Sequence, residues 1–442
     1  LPIVQEKDKQ QSFIAVKAMY DQGQFVEALQ IFKEMLLKDP DNSNLNFLVA
    51  DCLLNIDGYE KDATSYLQKA ILNTVPDYVN TMSQRKAPIF AYLKLGDLQY
   101  NDYLFDEALI NYKIFKVYLD EKKDKGLLEE VNKKIETTVN ARMMVENVVK
   151  VSFSEIPFVN TVTFSDYAAF YADKGNTLYF SRRRVGVATP ASSDIFYMRK
   201  VEGKWGRPVR MPFVNSDADD NFCCVSKDGN TMYFSSNRDG KYHIYSSTRK
   251  GKTQWSLPEL LNANINTAKS EETFCSISPD TKTLYFSSDR KGGYGGKDIY
   301  KSTRTLGGDW GQAENLGSSV NTSGNEEAPS ISEDGRHFYF SSTGQPGMGG
   351  YDVFTASING GAIKDIRNAG FPINTLGDDL YYLRSPYKNS EYLVSRSKTG
   401  KNNFAITPLE EAAIAMDVTE VKKKEQTKEK PKLKLVPKTL KY

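Results

Sequence analysis

Residues 284–300 read LYFSSDRKGGYGGKDIY, and near-copies of this stretch recur on both sides of it. LYFSRRR begins at Leu178, MYFSSNR at Met232, FYFSSTG at Phe338, and a more divergent YLVSRSK at Tyr392. Their serines are Ser181, Ser235, Ser287, Ser341 and Ser395, separated by 54, 52, 54 and 54 residues. Each copy runs on into a second apolar element, at 194–196, 243–245, 298–300, 352–354 and 404–406. A fixed period of this length, made of β-type segments, predicts small sheets repeated radially. The pattern is that of a β-propeller with five blades. A sixth blade would need residues 148–159 or the C-terminal tail, and neither carries the signature.

Within one period the order of signals is constant. An acidic residue or pair opens the unit: Asp166, Asp219-Asp220, Glu271-Glu272, Glu326-Glu327 and Asp378-Asp379. A short strand and a tight turn follow, as in Lys227-Asp228-Gly229-Asn230 or Ser278-Pro279-Asp280. Asp-Gly supplies the positive φ that such hairpins need, and Pro-Asp presets the same reversal. The LYFSS strand, a Gly-rich loop, the DIY strand and a Trp-containing or polar stretch complete four short strands. The fifth copy lacks that last stretch, while residues 149–153 form a strand-like segment with no blade before them. They are expected to complete the fifth blade, because an open ring would leave an unpaired edge.

Upstream of about Lys150 the periodicity is helical. Residues 19–40, with Gly23, Phe25, Ala28, Phe32 and Pro40, resemble a tetratricopeptide (TPR) repeat. A small residue suits the turn between paired helices, alanine permits close approach, and proline stops the second helix. A second copy carries Gly58-Tyr59, Ala63, Tyr66, Ala70 and Pro76; a third carries Gly96, Tyr100, Phe105, Ala108 and Tyr112. Residues 127–149 read as one longer helix. The expected domains are a flexible N-terminus (1–10), a TPR α-superhelix (11–146), a WD40-like propeller (147–410) and a lysine-rich disordered tail (411–442).

Composition bounds the function. A chain of 442 residues with 40% apolar residues can bury large cores, and a net charge of +2 argues against generic nucleic-acid binding. Residues 420–442 hold nine Lys against three Glu, which leaves the remainder slightly acidic. No run approaches the roughly 18 apolar residues that a membrane span needs. Four cysteines in a chain of this size are not a disulfide framework. Opening at Leu1, the chain reads as a processed or trimmed product.

The motif SPDxxTLYFSSDRxGGYGGxDIY resembles the WD40-like repeat of TolB-type propellers. Its glycine-rich form is similar to that of envelope proteins of the Bacteroidota. TPR repeats followed directly by such a propeller resemble the PorE-type accessory proteins of type IX secretion and gliding. That resemblance covers residues 11–410 and implies a periplasmic, outer-membrane-associated scaffold whose partners are other envelope proteins. The OmpA-like domain of that family has no counterpart in these residues, so direct peptidoglycan binding is not expected.

The recurring acids are the main chemical candidates. One from each unit, Asp166, Asp220, Glu272, Glu327 and Asp379, could ring the channel as a cation or polar-ligand site. The competing reading has them hydrogen-bonding strand-entry amides. Catalytic carboxylates of propeller glycosidases flank one bond and need not recur with the repeat, whereas these do. A serine nucleophile needs a base, and the chain has only His243 and His337, both at repeat positions, with no G-x-S-x-G elbow. The GGYGG loop lies between strands rather than opening a helix, so it is not a phosphate loop. The expectation is a non-enzymatic scaffold with no cofactor or metal, its partner seated in the TPR groove. A glycan- or ligand-binding envelope propeller is the alternative, and a carbohydrate-active enzyme a more remote one.

Overall fold

The computed structural model describes residues 2–185, 192–251, 254–384, 391–397 and 404–411. Most of the first long loop (185–193) and the lysine-rich tail from 412 onward lie outside the described residues.

Seven helices form the N-terminal region: α1 (Pro2–Asp21), α2 (Phe25–Lys38), α3 (Ser43–Leu54), α4 (Ala63–Ala70), α5 (Phe90–Asn101), α6 (Phe105–Val117) and α7 (Lys125–Glu146). Helix α1 thus includes most of the stretch expected to fray. Gly23 takes φ +76° in the α1–α2 turn, and the Asn42 side chain caps α3 by accepting the Leu45 amide at 3.1 Å. Ala28, Phe32, Leu48, Leu53, Ala63 and Leu67 are buried in one core joining α1 to α4. Helices α5 and α6 cross closely at Gly96, where an added Cβ would lie 2.6 Å from the Tyr112 ring.

Five sheets follow, each opening on the strand nearest the ring axis. Their first strands are Phe164–Ala172, Asp220–Val225, Glu272–Ile277, Glu326–Ile331 and Asp378–Arg384, each touching its neighbours on both sides. The repeat serines lie on the second strands, Thr177–Arg184, Thr231–Ser236, Thr283–Ser288, His337–Ser342 and Glu391–Ser397. All pairings within the blades are antiparallel. The fold is an N-terminal TPR region followed by a five-bladed β-propeller. Its fifth blade is completed by Val151–Phe153, which pairs with Ala405–Glu411 through Leu409↔Phe153 and Glu411↔Val151. The ring therefore closes with a strand drawn from before the first blade.

Every first strand bulges opposite its partner strand. In four blades the bulge holds a non-glycine residue at positive φ: Ala168 (52°), Phe274 (38°), Ala328 (52°) and Tyr381 (58°). Such bulges turn strands sharply around a narrow axis.

The helical region rests on the ring. Phe105 and Ala141 bury against Met348 of the fourth blade's Gly-rich loop, with Tyr100, Met144, Val145, Phe371 and Leu376 around them. The Tyr100 hydroxyl donates to the Met348 carbonyl, and the Val149 amide donates to the Phe371 carbonyl at 2.7 Å.

Candidate functional site

The recurring acids are buried, and each is bonded within its own sector of the ring. Asp166 receives Arg182 through Nε at 2.6 Å and Nη2 at 2.9 Å. Asp220 receives Arg238 at 2.6 Å together with the amide and hydroxyl of Ser216. Glu272 receives Arg290 at 3.2 Å, the Thr267 amide and the hydroxyls of Ser270 and Ser288. Asp379 lies 3.3 Å from Arg396 and accepts the Thr375 amide and hydroxyl. These groups hold the turn that enters each blade.

In the fourth blade the equivalent residue is Glu326, not Glu327. Glu326 pairs in register with Ser342, as Asp220 does with Ser236 and Glu272 with Ser288. It accepts the Thr322 amide and the hydroxyls of Thr322 and Ser342. Glu327 instead makes an ion pair with Lys297 at 2.9 Å and accepts from the Tyr351 hydroxyl. Counting back fifteen residues from the repeat serine, as Asp166, Asp220 and Glu272 stand, would have selected Glu326. Where the other blades carry arginine, this one carries Gln345, whose amide reaches the Ser319 and Val320 carbonyls. Without a cation, burial pushes the Glu326 carboxyl up. Among the described residues no group of three His, Cys, Asp or Glu side chains is placed to hold a metal ion.

A second repeated device had not been singled out from the sequence. Asn215, Asn266, Asn321 and Asn374 each span one residue of the preceding third strand. Each accepts its amide and donates to its carbonyl, at Ile195, Ile244, Ile299 and Val353. The recurrence of Asn five or six residues before each acid was the available signal.

The axis is closed by side chains. Tyr381 lies 4.8 Å from Phe274 and 5.7 Å from Tyr167, ring centre to ring centre, and Phe404 packs against both tyrosines. A cavity of about 40 Å³ is left among the bulges. His243 points at the Thr267 carbonyl (3.3 Å) and stands 3.9 Å from Glu272, while His337 stacks on Tyr339.

The Gly-rich loops join blades. Gly296 donates to Gly324 and Gly350 to Gly377, both at 2.9 Å, and the Asp298 and Asp352 carboxylates accept amides of their own loops. These bonds explain why tyrosine-flanked glycines recur between two strands.

The TPR concave surface is not open along its length. Helix α3 is buried over 43–53, between α2 and α4 on one side and the segment before α5, which folds back over it, on the other. Tyr78 donates to Asn44 at 2.6 Å, Asn44 donates to the Gln84 carbonyl, and the Phe47 and Tyr78 rings meet edge-on. The open part lies further along, between α5–α7 and the ring. There Asp97, Tyr100, Asn101, Lys133, Lys134 and Thr137 face Gly349, Gly350 and Leu376 across a cleft of about 490 Å³. A second recess of about 180 Å³ continues along α7 past Glu136 and Asn140 to residues 343–347. Lys134 is held by Asp97 at 2.8 Å, whereas Lys133 is exposed. This interdomain cleft is the candidate site.

A tetratricopeptide repeat family model matches residues 19–78. No curated protein matches the chain. Among solved structures it is similar to one described as TolB from Agrobacterium tumefaciens: 20% identity, 54% of this chain and 72% of that one, TM-score 0.34. It is also similar to a protein of unknown function from Dyadobacter fermentans: 13% identity, 55% and 75% coverage, TM-score 0.37. An endo-arabinase from Bacteroides thetaiotaomicron gives 13% identity, 60% and 98% coverage and TM-score 0.38. No helix among the described residues is long and apolar enough to cross a membrane.

Proposed function

We propose that this chain is a non-enzymatic scaffold of the bacterial envelope that captures a partner segment in the cleft between its TPR helices and its propeller. The observation that carries the reading is the cleft itself. It is open, combines a largely apolar lining with the charged Asp97, Glu130 and Lys133 at its walls, and lies between repeat helices on one side and the Gly-rich loop of the fourth blade on the other. Repeat folds of both kinds offer wide rigid surfaces for protein partners. The recurring acids, the part of the ring best suited to chemistry, are engaged by arginines, hydroxyls and turn amides, which favours binding over catalysis. Placement at the outer membrane, in secretion or gliding assembly, rests on the GGYGGKDIY-type repeat and its resemblance.

The test is affinity capture from an envelope extract, using the full chain and a Thr137→Arg variant that fills the cleft. The variant should fold normally and lose the specifically captured proteins. Unchanged capture by the variant would remove the cleft from the proposal.

A further inference from the structure

Three of the four cysteines meet at one seam of the ring. Cys223 and Cys275 stand at the same repeat position, twelve residues before Ser235 and Ser287, on the first strands of adjacent blades. Both lie at the bulge of their strand: Cys223 is the extra residue between Phe222, paired with Phe234, and Cys224, paired with Tyr233, while Cys275 pairs with Phe286 directly after the extra residue Phe274. Cys224 and Cys275 share one buried core, with Cys223 packed against it, and all three line the axial cavity of about 40 Å³. Three residues after the buried acid, where Cys223 and Cys275 stand, the other blades carry Ala169, Pro329 and Tyr382, so only this seam brings thiols together. The fourth cysteine, Cys52, is buried in α3 of the helical region.

The geometry points to an inter-blade redox site: Cys223 and Cys275 are placed to form a disulfide that ties the second blade to the third. Cys223 and Cys224 both adjoin the Cys275 thiol, and burial, with these two thiols beside it, raises it well above the ordinary thiol range. Cys223 is the half-buried member of the pair, so its sulfur is the more accessible of the two. Access comes from the face opposite the helical region. A funnel of about 340 Å³ opens there between the first hairpins of the blades and shares Phe170, Cys224, Ser276 and Leu383 with the axial cavity. The funnel's own lining includes Cys224, and Cys223 lies beyond it on the axial cavity; the oxidant for the test is of the diazenedicarboxamide class (diamide), which enters from this face. The Cys223 sulfur adds to its N=N bond, then the Cys275 sulfur attacks Cys223 and releases the hydrazine. One S–S bond forms and two S–H bonds break. Both protons and two electrons reside on the reduced hydrazine.

The full-length chain is treated with diamide in native buffer, alkylated, and digested without reduction for mass spectrometry. The expected product is one intrachain link between the peptides of Cys223 and Cys275, two hydrogens lighter, with Cys52 and Cys224 alkylated. Its melting temperature should rise by several degrees and return on reduction, because the link closes a long loop of the unfolded chain. Cys224→Ser should still form the link; Cys223→Ser and Cys275→Ser should not. Four alkylated cysteines, a Cys224–Cys275 link, or only links between chains would each overturn the assignment. Should a serine variant fold poorly, the peptide map of the unaltered chain decides alone.

Discussion

Asn160 and Ile406 are 246 residues apart in sequence and exchange two hydrogen bonds. The Ile406 amide donates to Asn160 Oδ1 at 2.7 Å, and Asn160 Nδ2 donates to the Ile406 carbonyl at 2.6 Å. The same pair recurs at the other four seams, but only here does it join the first blade's entry segment to the last blade. With Val151–Phe153 on the edge of that blade, it forms the closure of the ring.

Replacing Asn160 with Ala should therefore lower the stability of the propeller by about 1–3 kcal/mol, the cost of leaving buried backbone groups without partners. Ser152→Pro, which places a proline within the closing strand, should act in the same direction. Thermal denaturation of the full chain checks both. Unchanged melting in both variants would mean that the ring is closed by other contacts.

Glu272 is fully buried whereas its neighbour Glu271 is not, so the two should differ in their weight for stability. Glu272→Gln leaves Arg290 without its anion in a largely dry site and should cost about 3 kcal/mol. Glu271→Gln, at a partly exposed position, should be nearly neutral. Urea denaturation of the two variants separates them.

The junction of helices and ring should respond to pH. Burial, helped by the nearby Asp379 carboxylate, pushes the Asp352 carboxyl up to about 7 against the bonds it accepts from Gly349 and Met348. Burial likewise pushes Asp379 up to about 6 despite Arg396. A carboxyl raised on folding binds its proton more tightly in the folded chain. Its contribution to stability is complete below the unfolded value and is lost as pH rises through about 7. The melting temperature should thus increase from pH 8 to pH 5, and Asp352→Asn should flatten that slope. An increase of equal size in the variant would exclude Asp352 as its source.

Gly96→Val should destabilise the helical region by about 1–3 kcal/mol, because the added side chain meets the buried Tyr112 ring. Gly126→Val, where an added Cβ meets nothing within 4 Å, is the control. Calorimetry should show a lowered transition for the first alone.

Blade number, ring closure and helix pairs were legible because each rests on a repeated local signal. The serine spacing counted blades, and the strand-like 149–153 without a blade announced the closure. Glu326 was missed because two adjacent glutamates satisfy the same composition, and only the register opposite Ser342 distinguishes them. The positive-φ bulges at Ala168, Phe274, Ala328 and Tyr381 carry no glycine, so tertiary packing around the axis, rather than residue preference, imposes them. The cover over α3 was invisible for a different reason. Residues 71–89 have no periodicity, and their placement depends on Asn44 and Phe47 from another helix. The interdomain cleft follows from how two repeat arrays dock, through contacts such as Tyr100 with Met348, which no single period encodes.

The most direct measurement places a photo-crosslinking phenylalanine analogue at Lys133, on the open wall of the cleft, or at Leu306, an exposed position far along the third blade. Each full-length variant is irradiated in intact envelopes. Capture through the cleft predicts a discrete heavier adduct from position 133 and none from position 306. An adduct at 306 with none at 133 would contradict it.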